Sequence, residues 1–181
     1  MAKVSKESMP KIFSETGLRW LWLTIICLIL DQVTKHWVAG SFDLYESMQI
    51  WPIFSLTYVH NPGAAFSFLA DQGGWQRWFF TAIAAIASIV FIVWLAKTPK
   101  SQVLLSVAFA LMLSGAVGNL IDRALFGYVI DFLDFHWSGT HFPAFNVADS
   151  MIFIGAALMI LDSFTAEQTG TESDNNSLED K

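Results

Sequence analysis

The chain has 181 residues, of which 54% are hydrophobic and only 14% are charged, with a formal net charge of −6 at pH 7. A soluble domain carries about 25% charged residues, so this chain has too few to cover a surface that faces water. The acidic balance excludes a basic nucleic-acid-binding protein, and the apolar content excludes a disordered chain. The single cysteine, Cys27, excludes an internal disulfide framework. The composition predicts an integral membrane protein built as one compact bundle.

Four stretches of the chain are long and apolar enough to cross a bilayer core, which takes roughly 20 helical residues. They lie at residues 18–38, 78–96, 103–121 and about 146–164. The second and third are separated by little more than Lys97-Thr98-Pro99-Lys100, so they are predicted to form a tight helical hairpin. The sequence predicts a membrane domain over residues 18–164.

The distribution of lysine and arginine predicts how these spans are oriented, because cytoplasmic segments are enriched in both. Seven basic residues fall on one side of the predicted bundle: Lys3, Lys6, Lys11, Arg19, Lys97, Lys100 and Lys181. The other side has only Arg77 and Arg123. Both termini are therefore expected in the cytoplasm, as a short segment over residues 1–17 and a disordered acidic tail over residues 165–181.

Two long connections, residues 39–77 and 122–145, lie on the side opposite the termini. Connections of this length are usually functional. Residues 49–60 and 128–137 are rich in β-branched and aromatic residues, which favours a short strand in each, and Asn61-Pro62-Gly63 ends the first with turn residues. The predicted fold is an all-α membrane protein with four transmembrane helices and a small extracytoplasmic sheet.

Several polar residues fall at membrane depth, where a charged side chain costs about 2.5–3.5 kcal/mol on insertion scales. Those on the outer side are Asp31, Lys35, Asn119, Asp122, Arg123, Asn146 and Asp149. Asp31 and Lys35 are four residues apart on one helical face and are expected to form a structural ion pair. Asp122 and Arg123 are expected to form an interfacial pair.

Histidines do not indicate a metal site in this chain. His136 and His141 are five residues apart and His60 lies elsewhere, which is not a compact ligand spacing. No metal ion or other cofactor is predicted.

Asp131 and Asp149 differ from the other acidic residues in their setting. Asp131 lies within an apolar segment, and Asp149 opens the fourth span, 18 positions later. Two carboxyl groups in one poorly solvated site share a proton and divide their apparent pKa values. One then serves as a base and the other as an acid. From spacing alone, a catalytic pair and a proton-relay pair of a transporter are both consistent with this pattern.

Five motifs occur in order along the chain. They are Asp31-Gln32-Val33-Thr34-Lys35, Asn61-Pro62-Gly63-Ala64-Ala65-Phe66, Gly118-Asn119-Leu120-Ile121-Asp122-Arg123, Val129-Ile130-Asp131-Phe132 and Phe145-Asn146-Val147-Ala148-Asp149-Ser150. With them, the chain resembles the lipoprotein signal peptidase (signal peptidase II) family from about residue 18 to residue 162.

That resemblance implies an intramembrane aspartic endopeptidase with Asp131 and Asp149 as its catalytic pair. It would remove the signal peptide from prolipoproteins, just before a cysteine that carries a diacylglyceryl group. Residues implied to line or support the site are Asn61, Gly63, Asn119, Asp122, Arg123, Asn146, Asp31 and Lys35. We expect a monomer in the bacterial cytoplasmic (inner) membrane, with its site in the outer leaflet, and membrane lipids and prolipoproteins as partners.

Two other classes of function compete with a peptidase. A small proton-coupled transporter would use Asp31, Asp131 and Asp149 as a relay, but a relay must cross the membrane and the inner leaflet offers only Asp162. The inverted repeats typical of many transporters are not visible in the sequence. A non-catalytic membrane scaffold would leave the buried carboxyl groups unexplained.

Overall fold

The computed structural model describes residues 8–63 and 75–179, with side chains for residues 12–63 and 75–165. Its elements are α1 (Ser8–Glu15), a 3-10 helix (Gly17–Trp20), α2 (Leu21–Ser41), β1 (Ser47–Trp51), β2 (Phe54–Asn61), α3 (Trp75–Lys97), α4 (Val103–Leu125), β3 (Val129–Trp137), β4 (Thr140–His141) and α5 (Val147–Glu179). Helices thus dominate the described part of the chain, and one small sheet accompanies them.

Four helical segments are long and apolar enough to cross a membrane: Gly17–Ser41, Trp75–Lys97, Val103–Leu125 and Val147–Thr165. All four predicted spans are confirmed, and each observed helix differs from its prediction by a few residues at its ends. α4 is the central helix and packs against α2, α3 and α5. In the most apolar stretch of each helix, 67% of the α4 residues are buried, against 11–22% for the other three helices. Most of the exposed surface of the four spans therefore belongs to α2, α3 and α5.

The four strands form one antiparallel sheet in the order β1-β2-β3-β4. The strand predicted over residues 128–137 is confirmed as β3. The short strand predicted within residues 49–60 is confirmed as β2, but the region also holds the end of β1, and the two form a hairpin in which Trp51 pairs with Phe54. Pro52 lies at its turn, where a residue with no backbone N–H and a fixed φ interrupts a strand.

The sheet lies over the end of the bundle where α2 and α4 finish and α5 begins. A cluster of buried side chains, Val38, Tyr58, Ile130 and Phe132, joins it to the last turns of α2. Phe145, just before the start of α5, joins β3 to that helix, because its carbonyl oxygen accepts from both Phe132 N (3.0 Å) and Leu133 N (2.8 Å). β3 and the first turn of α5 are therefore neighbours, although a loop separates them in sequence.

The opposite end of the bundle carries α1 and the α3–α4 turn. Gly17 N donates to Thr98 O (2.8 Å), and Lys100 Nζ pairs with Glu15 Oε2 at 2.6 Å. The predicted helical hairpin of α3 and α4 is confirmed. α5 is helical to Glu179 and so enters the segment for which a disordered tail was predicted. The division into residues 1–17, 18–164 and 165–181 stays a prediction, and Lys3, Lys6 and Lys181 lie outside the described residues.

Candidate active site

Asp131 lies on β3, opposite Val59 of β2, and is 2% exposed. Its Oδ2 accepts a hydrogen bond from Asn61 Nδ2 (2.8 Å), and its Oδ1 accepts one from Asn146 Nδ2 (2.6 Å). Burial, together with the nearby charge of Asp149, raises the pKa of Asp131 to about 7. These effects outweigh the two amide donors, which favour the ionised form. Asp131 therefore holds a proton at pH values where an ordinary aspartate is ionised.

Asp149 is the third residue of α5 and is half-buried. Its Oδ1 accepts from Asn119 Nδ2 (2.7 Å), and its Oδ2 accepts from Asn146 N (3.3 Å). In return, Asn146 Oδ1 accepts from Asp149 N (2.9 Å), which completes a capping box at the start of the helix.

Asn146 connects the two aspartates. It is 0% exposed, and its Nδ2 lies 2.6 Å from Asp131 Oδ1 and 3.2 Å from Asn119 Oδ1. The same side chain accepts from Asp149 N through its oxygen. Asn119 in turn donates to Asp149, so the two carboxyl groups are held within one hydrogen-bonded network. The structure thus brings Asp131 and Asp149 into one site.

A buried ion cluster lies below this network, among the helices. Lys35 Nζ is 2.9 Å from Asp31 Oδ2, 2.9 Å from Asp122 Oδ2 and 3.0 Å from Asn119 Oδ1. The predicted Asp31–Lys35 pair is confirmed. The expected pair of Asp122 with Arg123 is wrong, because adjacent residues on a helix point in different directions. Asp122 faces Lys35 of α2 instead.

The carboxylates of this cluster also hold the backbone that carries the two aspartates. Asp31 Oδ1 accepts from Ala148 N (2.8 Å), one of the N–H groups that the first turn of α5 leaves free. Asp122 Oδ2 accepts from Ile130 N (3.2 Å). The ion cluster therefore holds β3 next to Asp131 and α5 next to Asp149.

Gln32 belongs to the same cluster, although its role was not predicted. Its Nε2 lies 3.1 Å from Asp31 Oδ2 and 3.0 Å from Asp122 Oδ1. An amide within an apolar span, next to an aspartate, was the signal that could have identified it.

Gly63 and Arg123 complete the set of predicted residues. Gly63 has φ 102°, and its N–H donates to Asn61 Oδ1 (2.9 Å), which turns the amide nitrogen of Asn61 towards Asp131. Arg123 Nη1 lies 3.4 Å from Asn119 O, and its guanidinium is 5.7 Å from the centre of the Phe80 ring. Its charge interacts with Asp149 and Asp131. The rest of the second motif, residues 64–66, lies outside the described residues.

All ten predicted site residues thus form one connected group, whereas His136 and His141 bond to other residues. His136 bonds to Ser55, and His141 bonds to Asp134. His60 stacks on Tyr128, with ring centres 3.7 Å apart. Within residues 12–63 and 75–165, no three His, Cys, Asp or Glu side chains are grouped as metal ligands.

Comparison with known proteins identifies the family. A family model described as Signal peptidase (SPase) II matches residues 23–165, which include all ten site residues. The chain belongs to the signal peptidase II family. The resemblance drawn from the five motifs is therefore confirmed, and the chain is a peptidase by family.

Similar chains include two that are named lipoprotein signal peptidase. The one from Alteromonas mediterranea is 56% identical over 91% of this chain and 93% of its own length. The one from Shewanella pealeana is 53% identical over 92% of this chain and 98% of its own length. The match thus extends over nearly the whole of each relative.

Two solved structures, both described as bacterial membrane enzymes, have the same fold as this signal peptidase II chain. The first has a TM-score of 0.75 and 32% identity, and covers 86% of this chain and 93% of its own. The second has a TM-score of 0.71 and 34% identity, and covers 81% and 94%. Together with the four apolar helices, they indicate a multi-pass membrane protein.

Proposed function

We propose that this chain is an aspartic endopeptidase that removes the signal peptide from diacylglyceryl-modified prolipoproteins, cutting just before the lipid-modified cysteine. Its family and its relatives' name support the substrate class. The observation that carries the aspartic type is the link from Asp131 through Asn146 to Asp149. A protonated and an ionised carboxyl group in one site are what acid and base catalysis of peptide hydrolysis require.

The proposed mechanism assigns one proton transfer to each aspartate. Asp149 takes a proton from water, and the resulting hydroxide attacks the carbonyl carbon before the cysteine. Asp131 gives its proton to the carbonyl oxygen, which forms a neutral tetrahedral diol. Collapse of the diol returns a proton from its hydroxyl to Asp131, while Asp149 donates to the departing amine. Both carboxyl groups finish as they began, so the mechanism uses no cofactor.

The proposed setting is the outer leaflet of the bacterial cytoplasmic membrane. The basic residues Arg19, Lys97 and Lys100 lie at the α1 end of the bundle, which supports placing that end and both termini in the cytoplasm. The aspartates lie at the other end, between the helices and the sheet. A substrate whose signal helix and lipid lie in the membrane meets water there. We propose that the enzyme acts as a monomer, with membrane lipids around it.

The test is cleavage of a defined substrate by the purified protein in lipid nanodiscs. A diacylglyceryl-modified prolipoprotein should lose a mass equal to its signal peptide. The same prolipoprotein without the diacylglyceryl group should remain intact. No cleavage by well-folded protein would refute the proposal. Proton flux into liposomes without cleavage would support the relay function instead.

A further inference from the structure

A cavity of about 550 Å³ lies beside Asp131. The residues around it include Tyr45, His60, Asn61, Phe126, Tyr128 and Asp131. Its lining mixes aromatic rings with groups that form hydrogen bonds. Burial lowers the pKa of His60, so its ring is neutral at pH 7. The cavity therefore suits an uncharged peptide segment better than an acyl chain.

The backbone of β2 has an open edge at this cavity. His60 pairs with Ile130 of β3, but Ile130 N donates to Asp122 and Ile130 O accepts from Asn146. Both backbone groups of Ile130 thus point away from β2, which makes this a pair without mutual hydrogen bonds. The N–H and C=O of His60 consequently face the opposite edge, where β1 would continue.

Pairing on that opposite edge stops before His60 is reached. Tyr58 N donates to Glu46 O (3.0 Å), and Tyr45 N donates to Tyr58 O (2.8 Å). Tyr45 has φ 68°, outside the extended conformation of a strand. Among the described residues, none pairs with β2 beyond Tyr58 on this side. Within the described ranges, the N–H and C=O of His60 thus have no strand partner, and they lie next to Asn61, the residue that donates to Asp131.

Tyr45 is an unusual residue at this turn. A left-handed φ is uncommon for a bulky side chain, and such residues cluster at ligand sites. Tyr45 is 69% exposed, yet it is part of the cavity lining. Its position next to the open edge fits a side chain that covers a bound segment.

We propose that this cavity binds the first residues of the mature lipoprotein, which follow the scissile bond and add to β2 as a short extended segment at His60. This subsite rests on the proposed function. The signal helix and lipid approach Asp131 and Asp149 from the membrane, so the mature chain must leave on the side of the sheet. Addition of an extended peptide to an open strand edge gives affinity through backbone hydrogen bonds.

The substrate side is tested with a synthetic diacylglyceryl-modified peptide in which each of the first four amide bonds after the cysteine is replaced, one at a time, by an ester. An ester lacks the N–H donor. One position should raise KM about 3- to 10-fold, the effect of one hydrogen bond, while its neighbours stay within about twofold because their N–H groups point away from β2. Equal KM at all four positions would overturn the subsite.

The enzyme side is tested with Tyr45→Gly, which removes the ring and accommodates the positive φ. KM for the parent peptide should rise about 3- to 10-fold with kcat unchanged. Trp137→Ala, an exposed aromatic at the far end of β3 and outside the cavity, is the matched control and should leave both constants within about twofold. A Tyr45→Gly enzyme with the KM of the parent would refute the covering role. If the wild-type enzyme does not cut the parent peptide, the proposed function itself is refuted, and the subsite that rests on it falls with it.

Discussion

Asn146 and Asp149 exchange hydrogen bonds at the first turn of α5: Asn146 Oδ1 accepts from Asp149 N at 2.9 Å, and Asp149 Oδ2 accepts from Asn146 N at 3.3 Å. The carboxyl group proposed as the catalytic base thus also caps the helix that carries it. Capping and catalysis can be separated at Asn146, because its amide nitrogen binds Asp131 while its oxygen caps.

Asn146→Ser and Asn146→Ala should therefore differ in stability and agree in activity. Serine still accepts from the N–H of residue 149, so its variant should be about 1 kcal/mol more stable than the alanine variant. Neither side chain reaches Asp131, so both should lose most cleavage. Denaturant unfolding in micelles and single-turnover cleavage measure the two effects. Full activity in the serine variant would show that the bond to Asp131 is dispensable.

Lys35 should contribute mainly to stability. It is 0% exposed and compensates both Asp31 and Asp122. Lys35→Met leaves two buried carboxyl groups without a cation and should destabilise the fold by about 3–5 kcal/mol. Lys100→Met removes an ion pair that is about half exposed and should cost less than about 1 kcal/mol. Equal thermal midpoints for the two variants would contradict the structural role of the cluster.

The sequence predicted the helices, and which polar residues lie together, better than it predicted the contacts between those residues. Apolar runs of about 20 residues specify membrane helices by length alone, which is why all four spans are confirmed. Polar residues at membrane depth pointed to the candidate site for a similar reason, since each needs a partner or a function. These signals are local, and a single sequence is enough to read them.

Partners that come from distant parts of the chain were not predictable in the same way. Asp122 was expected to pair with its neighbour Arg123, yet it bonds to Lys35, which is 87 positions away. That contact depends on α2 packing against α4, which no local pattern encodes. The β1–β2 hairpin was missed because of a local pattern. The partial alternation of apolar residues continues across Pro52, so the turn at that residue was not recognised.

The orientation in the membrane is tested with two insertions. A reporter tag at Ser101, in the α3–α4 turn, should be cytoplasmic, and the same tag at Gly139, between β3 and β4, should be extracytoplasmic. Both sites lie in exposed turns, so the tag should not disturb packing. With a cysteine in the tag, a thiol reagent that cannot cross the membrane should label the tag at Gly139 in intact cells and should not label the tag at Ser101. The reverse pattern would contradict the outer-leaflet site.

The pH dependence follows from the pKa of Asp131, raised to about 7 by burial first and by the charge of Asp149 second. Because the proposed mechanism needs Asp131 protonated, kcat/KM should fall as pH rises through about 7. Because the pKa of Asp131 is higher in the folded protein than in the unfolded chain, where it is about 4, protonated Asp131 stabilises the fold. This stabilisation is fully present at pH values below about 4. That contribution is lost as pH rises through about 7. A rate that stays constant up to pH 9 would contradict Asp131 as the acid.

Removing the charge of Asp149 separates the two causes of that shift. In Asp149→Asn, the pKa of Asp131 should fall below about 7 but stay above 3.8, because burial remains. This titration is followed by infrared spectra of protein that carries isotope-labelled aspartate. Comparison with the spectra of Asp131→Asn assigns the signal of the Asp131 carboxyl group. Asp134→Asn, on the same strand, should leave it unchanged.

The strongest test of the proposed mechanism is loss of either aspartate. Asparagine matches aspartate in size but cannot carry negative charge or exchange a proton, so Asp131→Asn and Asp149→Asn should each lose nearly all cleavage. Asp131 accepts from two amides, so its variant places an NH₂ group against a donor and should lose about 1–3 kcal/mol of stability without unfolding.

Two comparisons make that loss specific to the pair. The double variant should be little worse than either single one, because residues that act as one catalytic unit are strongly non-additive. Asp134→Asn changes a buried aspartate on the same strand that bonds instead to Thr57 and His141, and it should keep most cleavage. Single-turnover cleavage of the lipidated substrate is measured beside thermal stability and substrate binding. More than about a tenth of wild-type cleavage in a stable single variant would refute the two-aspartate mechanism, since loss of one general acid or base typically costs about 10²–10⁴-fold in rate.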